Sequence, residues 1–271
     1  MSPIISRFLR RQYTQWRKKL GFGHSLSELD PSLAAEELVF RAPPLTPELA
    51  ATIQRISPQF HLAVGEERSR RFWELNQNGN CWGEYRALEP FLDGIEPANV
   101  LDLGPGLGRS TVFFKKHLGW EDVPFHLYES TGDSTKYTKA GPRFEDSFCG
   151  DLEVLRSVLE HNQVAGYEIF DAQEIDSRLS NLPGPYGFIY SFFAIGFHWS
   201  IEHFLDELME LMTDRSLGAF TLHKRYVDFS ALAGVPHRVV EAPSCWPRGQ
   251  SWRLLVLAKT EAALEGASAS G

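Results

Sequence analysis

Apolar residues in the second half of the chain fall into short dense runs, and between these runs they recur every three to four residues. The runs NVLDL (99–103), FHLYE (125–129), YEIFD (167–171), GFIYSFF (187–193), GAFTLH (218–223), HRVVEA (237–242) and WRLLVLAK (252–259) predict seven strands. STVFFKKHL, DLEVLRSVLEHN and IEHFLDELMELM, which lie between them, predict helices. Strands alternating with helices predict right-handed crossovers and a mostly parallel sheet covered on both faces. The last two strands are joined by APSCWPRGQS, a non-helical stretch that predicts a hairpin connection and hence one antiparallel strand.

The first 95 residues follow another pattern. From Ile4 to Leu20, apolar residues including Phe8, Tyr13 and Trp16 fall at helical spacing, and six Arg and Lys residues occupy much of the remaining circumference. Such a basic amphipathic helix suits an anionic membrane surface, an organellar targeting segment or packing on the main domain. Residues 30–56 hold two short helical patterns broken by Pro43, Pro44 and Pro47. Between 66 and 92, two helical segments flank the turn signal NQNGN. The expected organisation is a helical extension and lid (1–95), a main α/β domain (96–260) and a disordered small-residue tail (261–271).

Composition narrows this picture. The chain has 271 residues, 43% of them hydrophobic and 23% charged, enough for one large core with an appendage. A net charge of −8 argues against general coating of nucleic acid, so no nucleic-acid partner is expected. Cys81, Cys149 and Cys245 lie too far apart for a disulfide framework or a C-x-x-C metal clip, which fits a reducing, cytoplasmic setting. No apolar stretch approaches the ~20 residues of a membrane span, and the nearest, GFIYSFFAIGF, reads as a buried strand entering a loop. The only membrane contact expected is peripheral, through residues 4–20.

Candidate chemistry is concentrated in VLDLGPGLGRST, residues 100–111. A strand that feeds a glycine turn and then opens a helix builds a cofactor crevice, because glycine permits positive φ and close approach at the helix's electropositive end. The dinucleotide fingerprint G-x-G-x-x-G places its third glycine where this chain has Arg109. The spacing here is instead Asp102, Gly104, Gly106, Gly108, with Pro105 inside the turn. A cation at a helix start is disfavoured, so Arg109 calls for a carboxylate partner. Downstream, FHLYE ends in Glu129, about twenty residues past the loop, where an acid meets a ribose. The third strand ends in Asp171, placed to accept a bond from an adenine amino group.

From about Ala98 to Lys259 the chain resembles the class I S-adenosylmethionine-dependent methyltransferases, on VLDLGPGLG, the acid in LYES, the Asp-Ala pair in FDAQE and the segment YGFIYSFFAIGFHW. The resemblance implies a Rossmann-like, seven-stranded sheet of order 3-2-1-4-5-7-6 with helices on both faces, and S-adenosylmethionine as cofactor. It assigns the cofactor's methionine and ribose portions to Asp102, Gly104, Pro105, Gly106 and Gly108, the ribose to Glu129, and adenine to Asp171 and Ala172.

Methyl transfer requires an aligned acceptor and, for a hydroxyl, removal of its proton. The loop after the fourth strand offers His198 as general base, since imidazole titrates near neutral pH, with Trp199 and Phe193 as walls for a substrate. The alternative is a helix-flanking His198 satisfied by backbone, with Ser200 as the N-cap of the helix that follows. In CWGEYRALEPF, Tyr85 and Arg86 are candidates to reach the methionine carboxylate, Arg86 by a charge-assisted bond. No metal cluster is expected: His198 and His203 lack the i,i+4 spacing that puts two ligands on one helical face. The expected acceptor is a small polar or sugar-containing molecule with a hydroxyl target. Protein or nucleic-acid acceptors, and a non-catalytic binding protein, are the alternatives.

Overall fold

A computed structural model describes residues 38–56, 66–93, 95–129, 151–175, 178–192, 194–196, 200–223, 229–241 and 252–266. The amphipathic segment 4–20 lies outside these residues.

Two helices precede the sheet, α1 (Pro47–Ile56) and α2 (Glu66–Leu92). Pro47 takes the first helical position, where its missing N–H costs nothing, and Thr46 Oγ1 accepts from Leu49 N at 3.2 Å. The elements that follow are β1 (Val100–Leu103), α3 (Arg109–His117), β2 (Phe125–Glu129), α4 (Leu152–His161), β3 (Tyr167–Asp171) and β4 (Tyr186–Ser191). The chain ends with α5 (Leu205–Glu210), β5 (Met212–His223), β6 (His237–Glu241), β7 (Trp252–Ala258) and α6 (Glu261–Gly266).

The strands form one sheet of order β3-β2-β1-β4-β5-β7-β6. Pairs from β3 through β5 are parallel, and β7 runs antiparallel to both β5 and β6, as the hairpin connection predicted. All four residues of the central strand β1 are buried because layers cover both of its faces. The period-2 alternation sorts side chains between these layers. Phe188, Tyr190, Leu254 and Val256 join one core with Phe113 and Phe114 of α3, while Ile189, Leu255 and Leu257 join the other with Ile201 and Leu208. Phe40, Leu49, Trp73 and Leu88 belong to the first of these cores, so the described part of residues 1–95 shares the sheet's own core.

Three sequence expectations need correction. The NQNGN stretch does not turn: α2 runs unbroken through it. Asn78 is buried, and its side chain binds the backbone of residues 39–40 and of its own helix. Its Oδ1 accepts from Val39 N (2.9 Å) and Phe40 N (3.0 Å), and its Nδ2 donates to Phe40 O (2.9 Å) and to Glu74 O (2.8 Å). Asn162, at the end of α4, holds the same segment through Arg41 N and O, both at 2.7 Å. A residue type that favours turns when exposed here supplies buried backbone with its hydrogen bonds.

The helix expected over 201–212 is shorter. It divides into a 3-10 turn, Ile201–His203, and α5, because Leu211 O accepts from Tyr186 N at 2.7 Å and Met212 already pairs with Tyr186 in the sheet. Ser200 stands at the start of the 3-10 turn without a side-chain capping bond, so its expected N-cap role is not realised. The tail from 261 opens with a helix rather than disorder. Thr260 Oγ1 accepts from Ala263 N at 3.2 Å and donates to Asp214 O at 2.9 Å, and Leu264 is buried against β5 and β7. One capped turn with one buried leucine is enough to dock these six residues.

Candidate cofactor site

The chain crosses from β3 at one edge to β4 on the other side of β1, so the strand order reverses between β1 and β4. Ligands in open α/β sheets bind outside the carboxyl ends of the strands at such a reversal. The glycine loop lies there. Gly104 N donates to Tyr128 O at 2.9 Å, Gly108 N to the carbonyl of the buried Pro105 at 2.8 Å, and Gly108 sits at the N-terminal boundary of α3.

Gly104, Gly106 and Gly108 all have positive φ, between 58° and 77°. Two of them admit other parts of the protein. A Cβ on Gly104 would clash with Ala194 Cβ in the loop after β4, and one on Gly108 would lie 2.9 Å from Leu155 and 3.0 Å from Leu159 of α4. The post-β4 loop is also tied to β1 directly, since Ser191 Oγ donates to Leu103 O at 2.7 Å and accepts from Ile195 N at 2.9 Å.

Glu129 stands at the loop's crest. Its Oε2 accepts from Gly106 N at 2.9 Å, and its backbone carbonyl accepts from Ala172 N at 2.8 Å. Asp171 is the register partner of Glu129 across β2 and β3, and its Oδ1 accepts from Gln173 N at 2.9 Å. The buried Ala172 follows. Glu129, Asp171, Ala172 and the loop amides therefore line one sheet edge, an arrangement whose carboxylates and N–H groups suit a nucleoside's ribose hydroxyls and base amino group.

Asp102 has another task. It is 2% exposed, and its Oδ2 accepts from Thr111 Oγ1 (2.7 Å) and Tyr190 OH (2.6 Å), joining β1, α3 and β4 under the loop. Both donors fall on Oδ2, so this oxygen supports the loop from beneath, as a carboxylate this deep requires. Burial pushes its carboxyl up to about 7; the two hydroxyl bonds oppose this, and nearby Glu129 adds to it. A folded value above the ordinary 3.8 means the native state holds this proton more tightly. The group's stabilisation is then fully present below about pH 4 and is lost as pH rises through about 7. Asp102→Asn is expected to flatten the pH dependence of unfolding free energy between pH 4 and 7, measured by urea titration; an unchanged slope would contradict the assignment.

Arg109 has the carboxylate partner it calls for. Its Nη1 and Nη2 each donate at 2.7 Å to the carboxylate of Glu84 on α2, and Nη1 lies 3.2 Å from Cys81 Sγ. Burial alone would lower the guanidinium's pKa, but Glu84 and Cys81 together more than offset this and hold it above its ordinary range.

Tyr85 and Arg86 lie on α2. Tyr85 packs on Phe113 and His117, with ring centroids 6.0 and 4.6 Å away, and its hydroxyl approaches Glu89 at 3.4 Å. Arg86 sits over the Trp82 ring at 6.0 Å. Tyr85 thus packs on the C-terminal half of α3, and the exposed Arg86 shares a helical face with Trp82. His198, Trp199 and Phe193 lie outside the described residues. Among the described residues no cluster of His, Cys, Asp or Glu could hold a metal ion, and no helix is long and apolar enough to cross a membrane.

This strand order, with β7 reversed, is the class I S-adenosylmethionine-dependent methyltransferase fold. Solved structures similar to the chain include a methyltransferase from Pyrococcus furiosus, at 15% identity over 66% of this chain and 82% of that one, with a TM-score of 0.44. A SAM-dependent methyltransferase from Aquifex aeolicus matches at 16% identity over 68% and 98%, TM-score 0.42. A precorrin-6y methyltransferase from Geobacter metallireducens matches at 12% identity over 65% and 89%, TM-score 0.43. No family model and no curated protein matches the chain. The fold assignment stands on strand order and register.

Proposed function

We propose that the protein is an S-adenosylmethionine-dependent methyltransferase that acts on a hydroxyl of a small polar or sugar-containing acceptor. The observation that supports this reading is the bond from Gly106 N to the Glu129 carboxylate, which holds that acid against the glycine loop, with Asp171 beside it. When bound, the cofactor supplies an electrophilic methyl group on a cationic sulfur. The chain's part is to hold the nucleoside with Glu129, Asp171 and Ala172, to orient the acceptor, and to take its proton.

His198 is the proposed base, and Trp199 and Phe193 the proposed acceptor walls. His198 would take the proton from the acceptor oxygen as that oxygen is methylated. The hydroxyl target follows from His198, and the small acceptor from the acidic balance of the chain. A cytoplasmic setting, with peripheral membrane contact through residues 4–20, belongs to the same reading.

Calorimetry on the full chain is expected to show binding of S-adenosylmethionine and S-adenosylhomocysteine but not of NAD; binding of NAD alone would overturn the reading. In a labelled-methyl assay, His198→Ala is expected to lower turnover most where imidazole is neutral, above about pH 6.5. Turnover unchanged across pH would remove His198 from the base role.

A further inference from the structure

Arg109 brings a positive charge to the cofactor loop. It opens α3 one residue past Gly108, at the helix end where backbone dipoles already favour anions. A cofactor carrying a sulfonium would meet repulsion from an uncompensated cation there. The guanidinium is instead drawn onto α2 by two 2.7 Å bonds to Glu84, a residue 1% exposed and 25 positions earlier in the chain. Packing alone does not demand such a pair, because a buried ion pair is often no more stabilising than apolar residues of similar volume. What the pair does provide is a loop entrance without net charge from α3's first residue.

We propose that Glu84 is a positioning residue that cancels the charge of Arg109 at the glycine loop, so that the site accepts the cationic sulfonium cofactor as well as the neutral thioether left after transfer. The inference rests on the cofactor reading given under Proposed function. It makes Glu84, on a helix before the sheet, a determinant of charge selectivity between cofactor and product.

The test is a double-mutant cycle on the full chain, with calorimetric titration of S-adenosylmethionine and S-adenosylhomocysteine into each variant. In Glu84→Gln, which keeps the shape but loses the charge, the Kd ratio of cofactor to product is expected to rise by roughly three- to tenfold, the scale of one uncompensated charge in a partly buried site. In Arg109→Gln the residual anion is expected to move the ratio the opposite way. The Glu84→Gln/Arg109→Gln pair is expected to return it to within about twofold of wild type, as coupled charges require. A purely structural role weakens both ligands alike in both single variants, and that result would overturn the inference. If Glu84→Gln does not fold, Arg109→Gln and the double variant still read the sign. Wild-type protein that binds neither ligand would overturn the cofactor reading itself, whereas wild-type binding of both with an unmoved ratio overturns this inference alone.

Discussion

Glu129→Ala is expected to weaken S-adenosylmethionine binding by about 30- to 1,000-fold, or about 2–4 kcal/mol, with the protein still folded. The size follows from its chemistry: hydrogen bonds to a charged acceptor contribute on the order of 1–2 kcal/mol each, and a carboxylate at a strand end accepts from both hydroxyls of a ribose. The substitution also removes the partner of Gly106 N, which loosens the loop crest. Glu129 is only half-buried and stands at the carboxyl end of β2, so truncation opens no core cavity and the melting temperature is expected to hold. Calorimetric titration checks this. A loss below about threefold, or under about 0.7 kcal/mol, would mean that Glu129 holds the loop and no ribose.

The largest stability effect is expected at the ion pair under the same loop. Arg109→Ala removes the cation that the buried Glu84 pairs with, and removing one partner of a buried pair costs about 3–5 kcal/mol. That is a large share of the stability of an ordinary domain, about 5–15 kcal/mol. Replacing both partners, as Arg109→Met with Glu84→Leu, is expected to cost much less, because no charge is then stranded. Urea unfolding of the single and double variants distinguishes the cases. Equal losses in both would show that the pair contributes through packing rather than charge.

How much of this was legible in the sequence depended on the range over which each signal acts. β2 and β3 match FHLYE and YEIFD residue for residue, because a local apolar run bounded by turn residues fixes both ends. β5 begins six residues before GAFTLH, since the polar stretch around Asp214 and Arg215 carries no strand pattern and is drawn into the sheet at Met212 by its pairing with Tyr186. The glycine loop and Glu129 could be read from spacing along the chain. That Asp102 would be taken up by Tyr190, 88 residues away, could not. The unfavourable start of α3 signalled that Arg109 needed an anion, but choosing Glu84 required the packing of α2 on α3. Asn78 misled in the same way: its local preference is for turns, and only the backbone of residues 39–40 bonded to it turns it into a helix-borne clamp. Tyr85 and Arg86 were placed by position in the chain, whereas the helical face they share with Trp82 decides where they point.

A crystal structure of the full chain with S-adenosylhomocysteine tests the central claim most directly. The expected result is an adenosine at the carboxyl ends of β1, β2 and β3, its ribose hydroxyls on Glu129 and its adenine beside Asp171 and Ala172. A nucleoside bound away from that edge, or one that leaves Glu129 and Asp171 without contact, would contradict it.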